Sequence, residues 1–111
     1  MRELNRVAQF AFISNSNIDK IASTDYAGKT PSLKLPERAT VGSAGYDFYS
    51  PFDFTLKAGE TIKLPTFIRC KIDDGWVLMM CPRSGLGFKF RLQLDNTIGI
   101  IDSDYYYSDN E

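Results

Sequence analysis

From Gly45 onward the sequence is cut into short apolar runs separated by turn residues, and this punctuation limits the fold more than any other feature. "GYDFYS" alternates and is ended by Pro51. "FDFTL" alternates and closes on "KAGE", a turn at Gly59. In "TIKLPTFIRCKI", Ile62, Leu64, Phe67 and Ile72 are expected on buried sides, with Pro65 marking a bulge or an edge position. Asp74-Gly75 ahead of Trp76 is a favoured hairpin turn, and "WVLMM" returns as an apolar strand. "PRSGLGFKF" reads as a loop, "RLQL" as another alternating run and "NTIGIID" as the last strand. Many short strands with at most one helix predict an all-β sandwich or barrel, of which the jelly roll is one version. The helix is expected in residues 1–34, where "SNSNIDKIASTDYAG" offers Ser16 or Asn17 as N-cap and Gly28 as a stop.

Composition narrows the function classes. The chain has 111 residues, enough for one small domain. A net charge of −1 and a pI near 5.4 disfavour duplex binding, which rests on a basic surface, but leave room for a local phosphate site. There is no histidine, so the commonest general base and metal ligand is absent. The two cysteines, Cys70 and Cys81, read as reduced core thiols rather than a disulfide framework. The N-terminal apolar stretch is too short to span a bilayer. Together these features predict a soluble cytoplasmic protein with neither a nucleic-acid nor a membrane partner.

Three stretches could carry chemistry. In "PRSGLG", Arg83 and Ser84 put a cation and a hydroxyl beside Gly85 and Gly87, where backbone amides can approach an anion. An ordinary turn with a solvated arginine fits the same residues. In "GSAGYDFYS", alternation puts the Asp47 carboxylate on the face opposite Tyr46 and Phe48, either to orient another group or simply to meet water. In "GIIDSDYYY", Asp102 follows two isoleucines; a carboxylate at the end of a buried strand becomes more basic, and Asp102 is the best candidate general base. Extended backbone would turn Asp102 and Asp104 to one side, as a metal site or a solvated edge. Tyr105 offers a ring for a sugar, or for packing.

In order and spacing, "AGYDFYS", "PRSGLG" and "NTIGIIDSDY" resemble the first three motifs of the trimeric all-β dUTPase family. The resemblance covers residues 35–111, leaving 1–34 as an N-terminal extension. It implies a distorted jelly roll, incomplete at the C-terminus, since the family's fourth and fifth motifs do not follow. It also implies a homotrimer that hydrolyses dUTP to dUMP and pyrophosphate. Asp102 matches the catalytic aspartate. Asn96 and the Gly99 backbone match positions that read the uracil edge, Tyr105 the ring beneath the deoxyribose, and Arg83, Ser84 and Gly85 the phosphate contacts. Asp47 matches an acid that supports the metal-bound water network. The implied cofactor is Mg²⁺, held mainly by the triphosphate and not directly by protein. This reading expects Asp102 beside Asn96 and Arg83, shielded by its isoleucines. It also expects the 111-residue chain to be a piece of a complete enzyme with little activity alone; the alternative is a catalytically dead module that binds nucleotide or a protein partner.

Overall fold

Ser14 is where the first helix can start. Its hydroxyl accepts the Asn17 N–H at 3.3 Å, satisfying one of the amides a helix leaves open at its first turn. In the computed structural model, which describes residues 6–26 and 29–108, helix α1 therefore spans Asn15–Asp25. The expected helix is present, but its cap is Ser14 rather than Ser16 or Asn17; Gly28 lies outside the described residues. Ile18, Ile21, Ala22 and Tyr26 recur at helical spacing and form the apolar stripe of α1.

The other elements are β1 (Ala8–Phe12), β2 (Ile68–Ile72), β3 (Leu78–Met80), α2 (Ser84–Phe90), β4 (Gly99–Ile101) and a short 3-10 helix, Ser103–Tyr107. They form two two-stranded sheets, β1–β2 and β3–β4. The β1–β2 ladder is bracketed by the Ile13 N–H donating to the Phe67 carbonyl and the Asp73 N–H to the Val7 carbonyl, so its strands run antiparallel.

The contacts divide the chain into two units, Phe10–Arg69 and Met1–Gln9 with Cys70–Glu111. The first holds a core of Ile13, Ile18, Phe52 and Phe67 against which the α1 stripe packs. Tyr26 stacks on Phe52 with ring centres 4.3 Å apart, Phe52 meets Phe67 edge-on at 6.0 Å, and the Tyr26 hydroxyl donates to the Lys63 carbonyl. Phe67 is only 2% exposed and sits at φ 59, a backbone conformation that a bulky residue adopts at a cost. That turn follows Pro65 and ends the expected alternation, so Phe67 and Ile72 are buried while Ile62 faces solvent.

Several expected strands are not regular strands. "GYDFYS" contributes one bridge, Glu37 to Asp47, and "FDFTL" lies in no ladder, since extended backbone becomes a strand only with a partner alongside. The turns are as expected, with Gly59 at φ 84 and Gly75 at φ 87. Asp74-Gly75 does not close a hairpin, however: β2 pairs with β1, and β3 with β4. "PRSGLGFKF" is largely helix α2 rather than a loop, and "RLQL" yields only the Leu94–Thr97 bridge. Cys70 is buried as expected, whereas Cys81 is exposed.

Candidate functional site

The β3–β4 register decides what the second unit can bring together. Leu78 pairs with Ile101, Met79 with Ile100 and Met80 with Gly99. The approach is close at Gly99, where a Cβ would stand 3.4 Å from that of Met80. Arg83 lies three residues beyond Met80, and Asn96 three residues before Gly99, so both leave the same end of the ladder. Asp102 follows Ile101 and leaves the other end, roughly 10 Å along the strand from Gly99 at the usual rise per residue. Antiparallel pairing thus has Arg83 and Asn96 leave one end of the ladder and Asp102 the other.

Asp102 is also exposed, and so are its neighbours: Ile100 is 51% and Met79 54% accessible. The shielding expected from the isoleucines is not supplied by this strand pair. The backbone at Asp102 is extended, with φ −77 and ψ 156, so alternation continues through it and puts its side chain on the face of Ile100 and Met79. Beyond it the chain coils. The Tyr105 N–H donates to the Asp102 carbonyl at 3.2 Å, and the Ser103 hydroxyl to the Asp74 carboxylate at 3.3 Å. This 3-10 turn removes the extended spacing that would have turned Asp102 and Asp104 to one side. Tyr105 stands exposed on the turn.

Helix α2 carries the second group. Arg83 precedes it in extended conformation, and the Arg83 carbonyl accepts the Gly87 N–H at 3.0 Å. At the far end Arg91 adopts the left-handed conformation, φ 56, and its N–H donates to the Gly87 and Leu86 carbonyls. A cleft of about 340 Å³ runs along the helix, lined among others by Arg83, Ser84, Arg91 and Gln93. A Cβ added at Gly85 would meet nothing within 4 Å, so neither packing nor backbone strain in this chain calls for glycine there. Asn96 sits in the tight turn between Leu94 and Thr97, whose N–H donates to the Leu94 carbonyl at 3.0 Å. Arg91 was not singled out from the sequence; the signal that would have found it is a second arginine at the end of the same glycine-containing stretch.

Asp47 belongs to the other unit. It exchanges both backbone hydrogen bonds with Glu37, at 2.7 and 3.2 Å. Tyr46 and Phe48 both pack on Phe10, each with ring centres 5.4 Å apart, and Asp47 between them is half-buried. Among the described residues no group of three or more His, Cys, Asp or Glu side chains is placed to hold a metal ion. No helix among them is long and apolar enough to cross a membrane.

Small antiparallel sheets and a strand leading into a carboxylate define a β protein, with two arginines lining one cleft beside α2. The dUTPase family model matches residues 32–107, and the chain belongs to the dUTPase family. That family has a β jelly-roll fold, with which the small sheets here agree. The chain is 47% identical over 75 residues to the deoxyuridine 5'-triphosphate nucleotidohydrolase of Paraburkholderia phytofirmans, covering 65% of this chain and 51% of that protein. The Paraburkholderia xenovorans enzyme of the same name matches equally. That of Burkholderia mallei is 46% identical over 74 residues, covering 64% and 50% of the two chains. The chain thus spans about half the length of the curated relatives it matches. No solved structure matches it.

Proposed function

We propose that the protein acts in the hydrolysis of dUTP to dUMP and pyrophosphate, by attack of water on the α-phosphorus. The observation that carries this reading is the family match over residues 32–107, which takes in the basic cleft and the strand running into Asp102. Arg83 and Ser84, with the open space at Gly85, hold phosphate oxygens through a guanidinium fork, a hydroxyl and backbone amides. Asn96 and the Gly99 backbone read the uracil edge. A donor–acceptor mismatch there leaves a buried polar group unpaired at about 1–3 kcal/mol, which selects against cytosine. Tyr105 stacks beneath the deoxyribose, and Asp102 takes the proton of the attacking water. Asp47 would help orient water around an ion carried by the substrate.

The β3–β4 register bears on how these groups meet. Arg83 and Asp102 leave opposite ends of one ladder, and Asp102 shares its face with the exposed Met79 and Ile100. Association of copies into a homotrimer through that face would cover the apolar side chains and strip water from Asp102, so that Asp102 of one copy serves the cleft of another. The divalent ion of the reaction, Mg²⁺, fits as one carried mainly by the substrate's phosphates. Asp47 and Asp102 each offer a single hard-oxygen carboxylate, enough to orient an ion's water but not to make a cage. When bound, such an ion neutralises charge on the departing pyrophosphate. The protein's place is the cytoplasm, where its nucleotide substrate is found.

In a form of the protein that turns over dUTP, Asp102→Asn should lower pyrophosphate release about 10²- to 10⁴-fold while leaving dUTP affinity within a few-fold, measured by release assay and calorimetry. Unchanged turnover would remove Asp102 from the mechanism. A wild-type chain extended to the length of its relatives that binds dUTP without releasing pyrophosphate would instead be a nucleotide-binding regulatory module.

A further inference from the structure

Residues outside the assigned phosphate contacts also shape the cleft along α2. Arg83 lies just before the helix and Arg91 just after it, at opposite ends of Ser84–Phe90, and both line the same cleft. The described lining holds these two cations, the Ser84 hydroxyl and the Gln93 amide, and no carboxylate, although the chain as a whole carries a net charge of −1. The two guanidinium-bearing residues therefore share one surface. Arg91 also occupies a position where glycine is the favoured residue: its φ of 56 ends α2 in the left-handed conformation, which a side chain with a Cβ adopts only at a cost. An exposed helix stop does not need arginine. Strain retained at a cleft marks a residue held there for what it binds.

We infer that Arg91 is a second phosphate-binding residue, and that Arg83 and Arg91 together select a linear polyphosphate over a monophosphate. Two forks that line one cleft from the two ends of one short helix match a chain of phosphates, each guanidinium taking a pair of oxygens. A single phosphate can satisfy one of them but not both. In the reading above, Arg91 takes the phosphate furthest from the nucleoside, so this inference rests on that reading for the identity of the nucleotide but not for the preference for polyphosphate.

The test is titration calorimetry on the 111-residue chain with inorganic triphosphate, orthophosphate, dUTP and dUMP, for wild type, Arg91→Gly and Arg91→Lys. Glycine removes the guanidinium and relieves the left-handed strain, so Arg91→Gly should melt at the same temperature as wild type or higher. It should also bind inorganic triphosphate and dUTP at least about tenfold more weakly, with orthophosphate and dUMP changed less than about twofold. Arg91→Lys keeps the charge without the fork and should fall between. Triphosphate binding equal in Arg91→Gly and wild type, or no triphosphate binding by wild type, overturns the inference. Triphosphate binding that depends on Arg91, with no preference of wild type for dUTP over dCTP, upholds the inference and instead overturns the assignment of the nucleotide.

Discussion

The segment from Ile13 to Phe67 and the segment from Asp73 to Ser108 treat apolar side chains in opposite ways. The first gathers Ile13, Ile18, Phe52 and Phe67 into a buried cluster braced by the α1 stripe. The second has no buried side chain among its described residues and leaves Trp76, Met79, Phe88 and Ile100 at least half exposed. The first segment draws its stability from within. The second holds most of the proposed site residues and keeps an apolar face open, as surfaces that associate do. In this molecule the first segment packs against itself, while the second leaves the apolar face of its strands uncovered.

The contrast breaks most easily at its largest expected effect. Phe67→Ala removes the most buried ring of the cluster and should cost about 3–5 kcal/mol in chemical unfolding, a large share of a small domain's stability. Ile100→Ala, made on the exposed face, should change the same measurement by no more than about 0.5 kcal/mol in dilute protein. Similar costs for the two variants would mean that Ile100 is packed and that the distinction between the segments is false.

A smaller effect tests whether copies of the protein cover the open face. Ile100→Glu puts a charge beside Met79, its cross-strand partner, and should weaken self-association by about tenfold or more in sedimentation equilibrium, with the monomer's melting temperature unchanged. Self-association indifferent to that charge would place the contact between copies elsewhere. Asp102 would then need another source of desolvation.

The sequence was most legible where a local rule acts alone. The turns at Gly59 and Gly75 follow from positive φ, and α1 from a serine cap ahead of an apolar stripe. The last apolar runs are strands because β3 and β4 find each other. Pairing itself was not legible. Asp74-Gly75 makes its turn, yet β2 goes to β1, because which strand completes a ladder depends on the whole chain. Helix α2 was missed because its two glycines are poor helix formers and only its hydrogen bonds, from Gly87 to Arg83 and from Arg91 to Gly87, reveal it. For the proposed site, motif spacing named the candidates, but the environment of Asp102 was not legible. Two preceding isoleucines suggest burial only if their strand is covered, and here it is exposed.

Cys70, in β2 between the two segments, extends the comparison at its finest grain. Burial in β2 pushes its thiol above the ordinary cysteine range, and a hydrogen bond from the Gln9 backbone partly offsets the rise. Below the unfolded thiol's value of about 8.5, both states keep the proton and stability does not depend on this group. As pH rises beyond it, the unfolded chain releases its proton before the folded one does. Unfolding is then favoured, and the loss grows until the folded thiol ionises too. Melting temperature should therefore fall between pH 8 and pH 10 in wild type, and fall less steeply in Cys70→Ala, even though the variant starts lower for its lost packing. Cys81→Ala, at an exposed position, should track the wild-type slope. Equal slopes in wild type and Cys70→Ala would show that the thiol is solvated, and that β2 is no more closed to water than β3 and β4.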